Sequence, residues 1–276
     1  MRCACFYLVF NIFCFQSNYI LREGIAVKYI LLKKSQLTVS AVALFVAVTL
    51  AFTASSMISA ATKRVLPIYS VDRDDKCISL TFDAAWSADD TDDIIRLLDK
   101  YNAKATFFCV GTWVDANPDA VKKLYEAGHE IMNHSDKHPH ITNISEERFL
   151  EDLESCNEKI KAITGKTPTL YRGPYGEYDD KTVTAVNNLG MHYIQWSADT
   201  VDWKKENTSK MQIENVTKRI SSGGIILMHN GTEHTVETLA GLLENLTNAG
   251  YRFVPVTELI FTKNYSVDQN GVQHKT

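Results

Sequence analysis

After residue 64 the chain has only three cysteines, Cys77, Cys109 and Cys156, and no Cys-x-x-Cys spacing. An odd count without that spacing indicates neither a disulfide framework nor a thiolate metal site; buried free thiols are the simplest reading. No internal repeat or low-complexity segment interrupts this part of the chain. Positive charge is scarce there as well. Residues 1–64 hold seven Lys or Arg against Glu23 alone, leaving 22 basic against 32 acidic residues downstream, about −10. An acidic domain repels nucleic acid, so no DNA or RNA partner is expected.

Charge is absent altogether from Leu37 to Ala61. Lys28, Lys33 and Lys34 precede this run, and Ser59-Ala60-Ala61 close it with small residues. That order of basic, apolar and small regions is the pattern of a secretory signal. The run is also long enough for an uncleaved membrane anchor. Both readings export the rest of the chain to an extracytoplasmic location, secreted or anchored facing the cell wall. The expected organisation is an N-terminal extension over 1–64, one domain over 65–264 and a tail over 265–276, acting as a monomer.

From Cys77 onward, short apolar runs alternate with amphipathic ones. Strands are expected at Cys77–Phe82, Ala105–Val110, Glu130–Asn133, Leu170–Arg172, His192–Gln195, Ile225–Met228 and Phe253–Pro255, with helices between them. Seven such units argue for an α/β fold with a parallel sheet curled into a (β/α) barrel. Barrel enzymes carry their chemistry at the C-terminal ends of strands. Asp83, His134, Arg172, Asp199 and His229 all stand at or just beyond such ends.

His134 and His138 are four residues apart, and on a helical turn two such imidazoles share a face and can share a cation. His140 is out of register with them and is expected to face solvent. Asp83 follows the buried-looking Leu80-Thr-Phe82, where a carboxylate is costly without a partner, and Arg172 is a candidate for that role. His229 follows the apolar Gly224-Ile-Ile-Leu-Met228 and invites the same argument.

These residues fall in five ordered motifs: Thr81-Phe-Asp83, His134-Ser-Asp-Lys-His138, Arg172-Gly-Pro-Tyr-Gly176, Asp199-Thr-Val-Asp-Trp203 and Leu227-Met-His229. Together they resemble the polysaccharide deacetylase family, the NodB homology domain of carbohydrate esterase family 4, over about residues 75–260. The resemblance implies a distorted parallel barrel that hydrolyses N-acetyl groups on chitin-like or peptidoglycan-like glycans. It implies Asp83 as general base, oriented by Arg172, and His134 and His138 as ligands of a divalent metal, Zn²⁺ first, with Co²⁺ or Mn²⁺ as alternatives. It makes His229 the general acid, oriented by Asp199. The backbone N–H of Tyr175 would hold the oxyanion, Leu227 would line the acetyl pocket and Trp203 would wall the groove.

The first motif departs from the family pattern. Thr-Phe-Asp-Asp-Gly is usual, and here Asp83 is followed by Ala84, Ala85 and Trp86. The missing second Asp is normally the third metal ligand. The Asp-Ala-Ala-Trp form resembles a subgroup of spore-forming bacteria, which implies a cell-wall or spore-wall role. Asp89, Asp136 or water are the candidates to complete the metal shell, and Ala84→Asp is expected to tighten metal binding. The leading expectation is a polysaccharide N-deacetylase acting on an acetylated glycan. The alternatives are an O-acetyl esterase on xylan-like glycans and a non-catalytic glycan-binding module.

Overall fold

The computed structural model describes residues 41–49 and 64–276. Residues 41–49 form a helix in an N-terminal unit, Met1–Thr62, separate from the unit Lys63–Thr276. Most of the uncharged 37–61 run lies outside the described residues. Among the described residues no helix is long and apolar enough to cross a membrane.

The second unit opens with β1 (Ser70–Val71) and β2 (Cys77–Ala84), followed by α1 (Thr91–Lys100), β3 (Ala105–Cys109), α2 (Gly111–Ala116), α3 (Pro118–Glu126) and β4 (Glu130–Asn133). Next come α4 (Glu146–Thr164), β5 (Leu170–Tyr171), α5 (Asp180–Asn188), β6 (His192–Tyr193), β7 (Ala198–Asp199) and α6 (Ser209–Thr217). The chain closes with β8 (Ile225–His229), α7 (Thr235–Asn248), β9 (Arg252–Phe253), α8 (Val256–Leu259), β10 (Tyr265–Val267) and β11 (Val272–Lys275). The main sheet is parallel throughout, in the order β6-β5-β4-β3-β2-β8-β7, with β9 pairing on β2. It is an α/β half-barrel, the expected architecture with the ring incomplete: β6 and β7 end the order and do not pair with each other.

The central strand β2 shows how sequence alternation sorts the two faces. Ile78, Leu80, Phe82 and Ala84 pack into one apolar cluster with Ile94 and Leu98 of α1 and Leu239, Leu242, Leu243 and Leu246 of α7. Each fully buried Leu or Ile contributes about 1.5–3 kcal/mol to that packing. The intervening Ser79, Thr81 and Asp83 face the other way, because side chains alternate along a strand. Their polar groups are satisfied across the barrel interior: Ser79 Oγ donates to the Val254 carbonyl at 2.8 Å and Thr81 Oγ1 to that of Ile226 at 2.6 Å.

The stretch 265–276, expected as a tail, belongs to this unit. β10 and β11 form an antiparallel pair, and β11 runs parallel to β1, making a second three-stranded sheet. Gln273 is fully buried and bonds both the N–H and the carbonyl of Phe261 at 2.7 Å. The strands are too short to register as periodic patterns, and Gln273 at their centre reads as a loop residue. Cys77, Cys109 and Cys156 are buried free thiols.

Candidate active site

Parallel pairing brings the strand ends together. In the β2–β8 register Asp83 lies opposite His229, and in the β7–β8 register Asp199 lies opposite Leu227. A cavity of about 720 Å³ opens over these ends. Asp83, His134, His138, Tyr175, Asp199, Trp203, Leu227 and His229 all line it, with Trp86 and Trp196 added by the fold. Arg172 lies outside its lining, fully buried.

Asp83 is 5% exposed, and its Oδ1 accepts a hydrogen bond from Arg172 Nη1 at 2.7 Å. Burial alone would raise its pKa; the Arg172 charge, with His134 and His229 nearby, outweighs that and holds the carboxyl below its usual range. Arg172 also donates to Thr81 Oγ1 at 2.8 Å and to the Gln195 carbonyl at 3.1 Å, and its guanidinium sits 4.1 Å from the Phe108 ring centroid. This packing fixes the cation that fixes Asp83.

The two histidines are presented differently from expectation. Residues 134–140 form a loop, not a helical turn, because Ser135 and His138 both adopt left-handed backbone conformations, with φ of 70° and 55°. The loop is pinned by Asp152 of α4, a residue that sequence spacing did not single out. Its carboxylate accepts from Ser135 Oγ at 2.5 Å, from the Asp136 N–H at 2.9 Å and from the Lys137 N–H at 3.0 Å. The rings of His134 and His138 still meet, with centroids 5.1 Å apart. His134 Nδ1 donates to the Arg172 carbonyl at 2.8 Å, leaving Nε2 without hydrogen and 3.5 Å from Asp83 Oδ2. Burial lowers the pKa of both imidazoles, that of His138 to about 4, with the neighbouring His134 adding to the shift. Both are neutral at pH 7, the form that binds a cation.

A third protein ligand is not at hand. Ala84 is fully buried beside the helix-facing cluster and offers no ligand atom. Asp136 pairs with Lys159 Nζ at 2.6 Å, and Asp89 is exposed and away from the cavity. Among the described residues no three His, Cys, Asp or Glu side chains are grouped to hold a metal ion. The donors fit a cation through two imidazoles and fall one protein ligand short of the usual catalytic zinc site.

The orienting carboxylate of His229 is Asp202, not Asp199. Asp202 Oδ1 accepts from His229 Nδ1 at 2.6 Å, and its Oδ2 accepts from the His229 backbone N–H at 2.8 Å. Burial would lower the His229 pKa; the Asp202 bond and charge, with Asp83 and Asp199, overcome it and raise the value. Asp199 Oδ1 instead accepts from the Val201 N–H at 2.7 Å, and burial raises the Asp199 pKa. Both acids sit in one Asp-x-x-Asp-Trp motif, and only the turn between them decides which reaches the imidazole. His140 is exposed, as expected. It also stacks on Tyr175, which lines the cavity, with centroids 4.2 Å apart, and bonds Glu177 at 2.7 Å.

Residues 70–194 match the family model described as polysaccharide deacetylase. The chain is 32% identical to the peptidoglycan-N-acetylmuramic acid deacetylase PdaA of Bacillus subtilis, covering 68% of this chain and 73% of PdaA. The chain belongs to the polysaccharide deacetylase family. It is thereby placed among hydrolases acting on carbon–nitrogen bonds other than peptide bonds. It is also 34% identical to YlxY of Bacillus subtilis over 70% of this chain, but spans only 60% of YlxY. Among solved structures it resembles BA3943 of Bacillus anthracis, described as a pseudoenzyme of carbohydrate esterase family 4. The TM-score is 0.68 at 31% identity, covering 76% of this chain and 73% of the other.

Proposed function

We propose that this chain hydrolyses N-acetyl groups of an extracytoplasmic, peptidoglycan-like or chitin-like glycan, with Asp83 as base and His229 as acid. One observation carries the reading. Asp83 and His229 are cross-strand neighbours at the floor of the same cavity, and their surroundings push their pKa values apart. At one pH the carboxylate is ionised and the imidazole protonated, as acyl transfer requires of a base and an acid.

Asp83 takes a proton from the attacking water, whose oxygen bonds to the acetyl carbon. Arg172 holds Asp83 in place, and the Tyr175 backbone N–H serves the developing oxyanion. His229 gives its proton to the amide nitrogen as the carbon–nitrogen bond breaks, releasing acetate and leaving a free amine on the sugar. Asp202 keeps the imidazole oriented and charged for that transfer. Leu227 packs against the acetyl methyl, and Trp203 and Trp86 flank the sugar. A divalent cation held by His134 and His138 would polarise the acetyl carbonyl.

A second reading, a glycan-binding module without catalysis, is favoured by the buried Ala84 and by the similarity to BA3943. Acetate release separates the two. The chain is incubated with peptidoglycan strands, N-acetylglucosamine oligomers and acetylated xylan, each with Zn²⁺, Co²⁺ or Mn²⁺. Acetate from either N-acetylated glycan supports the proposal, and acetate from xylan alone makes the chain an O-acetyl esterase. Glycan binding with no acetate under any ion supports the module.

A further inference from the structure

The loop between β2 and α1 carries Trp86, at the point where the first motif departs from the family pattern. Its side chain is 44% exposed, yet part of the indole rests on the imidazole of His229, with ring centroids 4.9 Å apart and planes 30° from parallel. A side chain this exposed keeps one position only if its backbone is fixed. Trp113 of α2 fixes it from one side: it is buried, and its Nε1 donates to the Trp86 carbonyl at 2.7 Å. The loop that follows His229 fixes it from the other. Asn230 Nδ2 donates to the Ser87 carbonyl at 2.6 Å, and the Gly231 N–H donates to Asp90 Oδ2 at 2.7 Å. Gly231 holds φ at 69°, and a Cβ there would stand 2.6 Å from the Ser87 backbone, so glycine is what lets the two loops approach this closely. Trp86 and His229 each adjoin a residue of this clasp, which brings their rings together.

Asp202 holds His229 at one edge, where its Oδ1 accepts from Nδ1 at 2.6 Å. A single bond of that kind fixes a distance but lets the ring turn about its axis. An indole laid on the ring face removes that freedom. It also acts on charge. The face of an aromatic ring is its negative side, and tryptophan attracts a cation more strongly than tyrosine or phenylalanine does. The titratable groups around the imidazole are the carboxylates of Asp202, Asp83 and Asp199 and the neutral imidazoles of His134 and His138. The carboxylates set most of the field at His229, and Trp86 is the uncharged group on its face.

We infer that Trp86 is a positioning residue for His229: its indole fixes the plane of the imidazole, so that Nε2 is presented to the cavity, and favours the imidazolium over the neutral ring. The inference rests on the proposed reading of His229 as the acid. A ring free to turn, or more often neutral, delivers its proton to the amide nitrogen less often. This role is separate from contact with the sugar, because the part of the indole on His229 and its exposed part are different surfaces of one side chain.

NMR titration of His229 in the full chain, without metal or glycan, reads the contact directly. Trp86→Leu keeps an apolar cover, so the imidazole stays as dry, but it has no ring face. The titration midpoint should fall by roughly half a pH unit, the scale of a partly exposed cation–π contact. Trp86→Phe should restore part of it. Acetate release from N-acetylglucosamine oligomers with Zn²⁺ is read in parallel. In Trp86→Leu the alkaline limb of the kcat/KM profile should move to lower pH by the same amount and kcat should fall, whereas loss of sugar contact alone would raise KM. A midpoint unchanged or raised in Trp86→Leu, or kcat and the pH profile intact, would overturn the inference and leave Trp86 as a wall of the sugar site. Should Trp86→Leu lack a cooperative thermal transition, Trp86→Met is read in its place. A lowered midpoint without acetate from the natural chain removes the proposed hydrolysis and leaves the coupling of the two rings; acetate release with an unshifted midpoint does the reverse.

Discussion

Asp202→Asn tests the assignment of the His229 partner, and its consequences can be worked from the geometry. Asp202 accepts two hydrogen bonds from His229, one from Nδ1 at 2.6 Å and one from the backbone N–H at 2.8 Å. Asparagine keeps the shape and one acceptor oxygen but loses the charge and sets an NH₂ against a donor. The cost should be about 1–3 kcal/mol, the penalty for a buried donor left without its acceptor. Asp202→Ala removes both acceptors and should cost roughly 3–5 kcal/mol, as for breaking a buried ion pair. The sign of the pH effect follows from the raised His229 pKa. A raised folded value stabilises the fold fully below the unfolded pKa of about 6.5 and loses that contribution as pH rises through the folded value. Asp202→Asn should flatten this dependence. It should also move the alkaline limb of the kcat/KM profile to lower pH, because His229 acts as an acid only while protonated. NMR titration of His229 and a pH–rate profile read both effects, with Asp199→Asn as the comparison. A larger shift in Asp199→Asn than in Asp202→Asn would refute the assignment.

Ala84→Asp, read from sequence alone as a way to restore a metal ligand, is expected to destabilise the fold. It puts a carboxylate beside the apolar cluster at a cost of about 3 kcal/mol or more, visible as a lower Tm, while metal titration should show the tighter binding of a third ligand; no gain in affinity would exclude this position from the metal site. Activity should be lost to chelators and recovered with excess divalent ion, since two imidazoles hold a cation less firmly than three ligands do; resistance to prolonged chelation would count against the two-imidazole site. Asp152→Ala should release the His134–His138 loop by removing three hydrogen bonds, weakening metal binding with little change in glycan affinity, which calorimetry can separate.

The parallel α/β architecture was legible because the strands at Cys77, Ala105 and Ile225 are long apolar runs between amphipathic helices. The clustering of Asp83, His134, Arg172, Asp199 and His229 at strand ends likewise pointed to one cavity. Contacts set by backbone turns were not legible. Nothing in Asp199-Thr-Val-Asp202 says which acid meets His229, since Val201 must first adopt a left-handed φ. Nor does His-x-x-x-His say that its residues lie on a loop held by a distant Asp152. Ala84 reads as a vacancy in a ligand set, and among the described residues no third ligand is grouped with the two histidines. The final hairpin escaped notice because its strands are three and four residues long.

The central claim, hydrolysis by the Asp83 and His229 pair, is tested most directly by acetate release from N-acetylated peptidoglycan strands with Zn²⁺ present, comparing the natural chain with Asp83→Asn at equal glycan binding. The natural chain should release acetate, and Asp83→Asn should be slower by about 10²–10⁴-fold, the usual contribution of a general base. No acetate from the natural chain under any divalent ion, or equal rates in the two proteins, would contradict it.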